Sequence, residues 1–267
     1  MDKENKMGVP AHVHAVPPSD RAPLFAVTNV GSHTASHCIT LCETCVLRGL
    51  CLPAGLNQNE VERLDTIVNR KRSLKRGDYL HRAGSELQSL YAIRTGFLKT
   101  CMLHDDGREQ VAGFHMMGEL VGMDAIGSGK HVSDAIALED SELCEIPFAE
   151  FEQLSHDLPA LQQHFHRIMS REITRDHGVM LLLGSMRAEE RLAVFLLNLS
   201  KRFAARGYSA TQFNLRMTRE EIGSYLGLKL ETVSRAFSHF QNQGVINVQN
   251  KSIEIKDLGR LGELINR

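Results

Sequence analysis

The stretch "MTREEIGSYLGLKLETVSRAFSHFQNQGVINV", residues 217–248, leaves the chain few structural options. Thr218 followed by Glu221 is a capping box, which starts a helix there by satisfying backbone amides the first turn would leave orphaned. Gly227 can take the left-handed backbone that a tight inter-helix turn requires. Gly223 is small where two helices must cross closely, and Val233 is apolar where the second packs back on the first. A second helix should begin near Lys229, and "GVINVQNKSIEIKD" then reads as a hairpin. Helix, tight turn, helix and hairpin together fit a winged helix-turn-helix.

The second helix would present Glu231, Ser234 and Arg235 at i, i+3 and i+4, hence on one face. Arg can donate a bidentate pair to guanine, Glu can accept from cytosine, and Ser can bond base or phosphate. On their own these are three polar residues on a solvated surface; charge distribution adds weight to DNA. From Arg187 onward there are 13 Lys/Arg against 8 Asp/Glu, whereas the first 186 residues hold 18 against 24. A net charge of −1 thus hides a basic C-terminal third on an acidic body, the electrostatic footprint of an appended nucleic-acid module.

Upstream the texture changes twice. Residues 1–36 lack periodicity and are expected to be a flexible tail. "NQNEVERLDTIVNR" (57–70) has the spacing of a short amphipathic helix. From about Ser73 to Pro147 short strand-like segments alternate with turn signals, which suggests an antiparallel barrel or roll. From Phe148 the pattern is helical, with Pro159 in the first turn of a long element. Along it Phe165, Met169, Ile173, Met180 and Leu183 recur at helical steps as a narrow stripe, interrupted by Asp176. Such a stripe predicts a coiled-coil-like dimer seam; packing on the chain's own roll is the alternative.

Four of the six cysteines fall in "HCITLCETCVLRGLCLPAGL" (37–56): Cys38, Cys42, Cys45 and Cys51. The others are Cys101 and Cys144. No apolar run of membrane-spanning length and no signal-type leader occurs, so a cytoplasmic location is expected. Reducing conditions there argue against disulfides. Soft thiolates suit zinc and iron–sulfur alike, and the C-x2-C-x5-C spacing does not choose between them.

Cysteine segment, roll, long helix and winged helix-turn-helix, in that order, resemble the cyclic-AMP receptor/FNR superfamily of bacterial transcription regulators. "LYAIRTGFLKT", "GFHMMGELVGMDAIGSG", "CEIPF", "AEERLA" and "MTREEIGSYLGLKLETVSR" look specifically like the oxygen-responsive FNR branch. The resemblance runs from about residue 37 to the C-terminal hairpin. It implies an α+β chain: a cluster-binding arm and jelly-roll sensor over 37–147, a linker and dimerisation helix over 148–184, and the DNA-binding domain over 185–267. It implies a [4Fe-4S] cluster on Cys42, Cys45, Cys51 and Cys144, with Cys38 a bystander. It also implies base contacts to TTGAT-type half-sites by Glu231, Ser234 and Arg235, and a homodimer switch at Ile173, Asp176 and Met180. A polymerase-touching hairpin, "HDDGREQ" (104–110), would use Asp105, Gly107 and Arg108. Val46, after the second cysteine, departs from the small polar residue frequent there, and so puts oxygen access in doubt.

Relatives that bind cyclic nucleotides grip the phosphate with an Arg-Ser pair after "GEL". Here no Arg occurs between Arg108 and Arg167, so no cyclic nucleotide is expected. No catalytic constellation points to an enzyme. A zinc-stabilised or constitutive DNA-binding regulator of the same fold remains the rival reading.

Overall fold

The structure is a computed structural model that describes residues 42–68, 70–103 and 107–266. The expected tail, Cys38 and Asp105 lie outside the described residues. The chain divides between Cys38 and Ile39, and every described residue belongs to the second unit.

A single 3-10 turn, Cys42–Thr44, leads to helix α1 (Gln58–Ile67). Asn57 and Glu60 cap that helix reciprocally, and Val61, Leu64 and Ile67 are its buried face. Eight strands follow: β1 (Arg70–Leu74), β2 (Tyr79–His81), β3 (Ser89–Thr95), β4 (Phe97–Leu103), β5 (Glu109–Met116), β6 (Leu120–Val121), β7 (Asp134–Ala137) and β8 (Ser141–Pro147). They form two four-stranded sheets, ordered β1-β8-β3-β6 and β2-β7-β4-β5, and every pairing is antiparallel. This is the expected roll. Leu80, Ile93, Leu98, Ala135 and Leu143 are among the buried residues between its sheets.

Helix α2 (Phe148–Asp157) precedes the 27-residue helix α3 (Pro159–Ser185), with Pro159 in the first turn where its missing amide costs nothing. The apolar stripe divides along α3. Phe165 is buried and packs edge-on against Phe151 at 4.8 Å, so it belongs to the roll's own core. Further along, Ile173 is 56% exposed and Met180 67% exposed, with Leu181 and Leu183 also at the surface.

The C-terminal domain comprises α4 (Ala188–Ala204), β9 (Gln212–Asn214), α5 (Arg219–Leu226), α6 (Leu230–Asn242), the hairpin β10 (Ile246–Gln249) and β11 (Ser252–Ile255), and α7 (Leu258–Glu263). Strand β9 joins the hairpin as a third strand beside β11. This domain packs on the roll: Phe114 of β5 meets Phe195 of α4 at 6.0 Å and Tyr225 of α5 at 5.2 Å. The two share one continuous apolar core.

Candidate metal centre and nucleic-acid interface

Cys42, Cys45 and Cys51 sit on the irregular arm before α1, and Cys144 lies in β8. All four line one small cavity, closed from behind by Leu52, Leu64 and Ile146. Pairing with β1 and β3 on either side holds Cys144 in place. The arm is anchored by the Cys42 backbone amide, which donates to Asp65 of α1 at 2.7 Å. Cys101 is elsewhere, buried in β4 within the core shared with the C-terminal domain.

Burial, foremost, pushes the Cys51 thiol up to about 12; the Leu52 backbone amide opposes this and the nearby sulfur of Cys144 reinforces it. Cys42 rises through burial and then through the Asp65 carboxylate, and Cys144 through burial and then Cys45. Such thiols keep their protons unless a metal displaces them. A four-iron cluster carries one thiolate on each iron, and four cysteines on one cavity supply that donor set; zinc takes four thiolates as well. Val46, beside Cys45, is 97% exposed.

A connection that sequence reasoning missed runs from this arm to the long helix. His164 of α3 is buried, and its Nε2–H donates to the Cys51 carbonyl at 3.0 Å. Beyond it Ile173, Asp176 and Met180 are exposed on α3. At the end of α3, Arg191 of α4 donates to the carbonyls of Leu183, Met186 and Leu226, tying α3, α4 and α5 together.

The helix-turn-helix forms as expected. Thr218 Oγ1 accepts from the Glu221 amide at 3.1 Å and Glu221 accepts from the Thr218 amide at 2.7 Å. Gly227 has φ 63° and ψ 37°, the left-handed conformation that favours glycine. A Cβ on Gly223 would stand 2.6 Å from the Leu228 carbonyl oxygen, so the crossing tolerates no side chain there. Val233 is fully buried, while Glu231, Ser234 and Arg235 are exposed along α6. Gly107 and Arg108 are exposed in the β4–β5 turn.

The roll meets this domain through polar contacts as well. Lys99 pairs with Glu221 at 2.9 Å, and the Val111 amide donates to Ser224 Oγ at 2.9 Å. Glu119, between β5 and β6, takes Arg202 of α4 and Arg206 of the turn after α4, each at 2.6 Å, with Arg175 of α3 at 3.8 Å. Burial alone would raise the Glu119 carboxyl; the guanidiniums, Arg202 foremost, overcome it and hold it down at about 2.

A Crp-like helix-turn-helix domain profile matches residues 190–264, and a cyclic nucleotide-binding domain profile matches residues 71–157. Transcriptional regulatory protein btr of Bordetella pertussis is 50% identical over 226 residues, covering 85% of this chain and 93% of that protein. The chain belongs to the Crp/FNR family of transcription regulators. The fumarate and nitrate reduction regulatory protein of Escherichia coli K12 is 48% identical, covering 85% of this chain and 91% of that protein. The solved structure of FixK2 from Bradyrhizobium japonicum, which covers 73% of this chain and 96% of its own, superposes with TM-score 0.68 at 29% identity. As a Crp/FNR member of the FNR type, the chain is a transcription regulator and not an enzyme, and its helix-turn-helix is a DNA-binding module. Among the described residues no helix is long and apolar enough to cross a membrane.

Proposed function

We propose that the chain is an oxygen-responsive global transcription regulator of the cytoplasm, in which Cys42, Cys45, Cys51 and Cys144 hold a [4Fe-4S] cluster. The observation that carries this reading is the convergence of Cys144 with the three arm cysteines on one cavity. When bound, the group supplies an oxygen-labile bond between the arm and the roll. The residues of the chain do the rest. The Cys51 carbonyl reports the position of the arm to α3 through His164. Ile173 and Met180 close against a second copy, with Asp176 opposing closure by facing its twin. A homodimer then presents two α6 helices to adjacent major-groove turns of a TTGAT-N4-ATCAA-like palindrome, read by Glu231, Ser234 and Arg235. Asp105, Gly107 and Arg108 would contact RNA polymerase at activated promoters, while repression needs no such contact.

Cyclic nucleotide plays no part in this reading. The cavity between the roll and α3 is lined by Asp124, Glu172 and Asp176 against Arg175, a charge balance that repels a cyclic phosphate.

The test is anaerobic purification with iron and sulfide analysis, then air exposure while binding to a TTGAT-N4-ATCAA duplex is followed. About four irons and four sulfides per chain, absorption near 420 nm and DNA binding lost in air are expected. Zinc in place of iron, or DNA binding indifferent to air, would instead establish a zinc-stabilised or constitutive regulator.

A further inference from the structure

A second group of metal-ligating side chains lies in the roll, apart from the cysteines. His81 of β2 and His131, three residues before β7, stack face to face with ring centroids 3.6 Å apart and planes at 8°. Asp124 places one carboxylate oxygen 3.0 Å from His131 Nδ1. Its other oxygen accepts from the Val132 amide, the Ser133 amide and the Ser133 hydroxyl. One ligand atom from each of His81, Asp124 and His131 falls within 4.8 Å of the other two. Both ring nitrogens of His81 are cut off from solvent and have no hydrogen-bond partner. Buried polar atoms are nearly always paired, so an orphaned imidazole beside a second imidazole and a carboxylate calls for an ion or a water between them.

We propose that His81, His131 and Asp124 form a binding site for one divalent transition-metal ion of the zinc, cobalt or nickel kind. Imidazole nitrogen with a single carboxylate is the donor set such ions prefer. His131 Nδ1 and the Asp124 carboxylate oxygen stand 3.0 Å apart, close to the spacing of two ligands on one such ion, so the ion takes the place of the proton between them. Burial, and then the neighbouring His131, lower the His81 pKa to about 4, so its imidazole is neutral at physiological pH and free to donate to a metal. Arg72 opposes a cation here and Asp134 favours one. The rings tilt out of their parallel stack so that their lone pairs converge on the ion, which then cross-links β2 to the loop before β7.

The test uses the full-length chain with Cys42, Cys45, Cys51 and Cys144 all replaced by Ser, titrated with Co2+. The expected spectrum shows d–d bands without thiolate charge transfer. Saturation should come one ion higher than in the same chain carrying His81→Phe, which preserves ring and volume. Histidines near the N-terminus, such as His12 and His14, are common to both chains and cancel in that difference. Asp124→Asn, checked for folding by circular dichroism, removes a charged ligand and should weaken the site at least about tenfold, the lower bound for losing even an outer-shell partner. Zn2+ should displace Co2+ and raise the melting temperature of the parent but not of His81→Phe. Equal stoichiometry and affinity in the parent and both variants would overturn the proposal, as would a parent spectrum without nitrogen-ligated cobalt.

Discussion

His164 shows how much a single side chain can carry. It joins the cysteine arm's backbone to the long helix by a hydrogen bond, and the carbonyl it reaches belongs to a proposed ligand residue. Replacing it with Leu keeps the bulk and leaves the Cys51 carbonyl unpaired, at a cost of about 1–3 kcal/mol to the arrangement that needs it. Iron content of anaerobically purified His164→Leu should match the parent, while its dimer dissociation constant rises about tenfold by sedimentation. Unchanged dimerisation would remove His164 from the switch. Nothing in the sequence marked this residue among 13 histidines; its partner is 113 positions away, and only packing brings the two together.

At the scale of elements, the helix-turn-helix and the long helix make separate predictions. Gly223→Ala would press a methyl against the Leu228 backbone oxygen at 2.6 Å, and backbone cannot step aside as a side chain can. About 2–3 kcal/mol of overpacking should follow, with DNA binding lost in a gel-shift assay and iron loading of the roll intact. On α3, two Asp176 carboxylates about 5 Å apart across a dimer would repel by roughly 3 kcal/mol at an effective dielectric near 20, an upper-end figure that solvent reduces. Asp176→Ala should therefore sediment as a dimer in air; an aerobic monomer would sink the seam assignment. Both elements were largely legible beforehand, because capping boxes, glycine turns and helical spacing are local signals. The division of the α3 stripe was not, since whether Phe165 faces a second copy or the chain's own α2 depends on where the helix lies.

For the whole molecule, the Glu119 network governs how the DNA-binding domain sits on the roll. Three guanidiniums, from α3, α4 and the turn after α4, converge on one carboxylate in a turn of the roll. Its pKa is depressed from an ordinary 4.5 to about 2, so its contribution to stability is fully present above 4.5 and is lost as pH falls toward 2. Thermal melts across that window should fall more steeply for the parent than for Glu119→Gln. At neutral pH the variant should be less stable by about 3 kcal/mol, the cost of leaving buried guanidiniums without their anion. A variant as stable as the parent would mean the domains are held by their shared apolar core and the Lys99 and Val111 contacts rather than by Glu119.

Local signals in the chain were enough for the elements and the chemistry they could carry. They specify a roll of short strands, a long helix with Asp176 in its stripe, and thiols suited to a soft metal. They also specify a winged helix-turn-helix with Glu231, Ser234 and Arg235 on one face. Which of these meet was left to long-range packing. Cys101 and Cys144 both lie in strands, yet one is in β4 facing the C-terminal domain and the other in β8 beside the arm. Strand periodicity says that side chains alternate but not which sheet a strand joins or what covers its face. The same limit hid His164, the Glu119 clamp and the stacked His81–His131 pair, for each joins residues that only the folded chain makes neighbours.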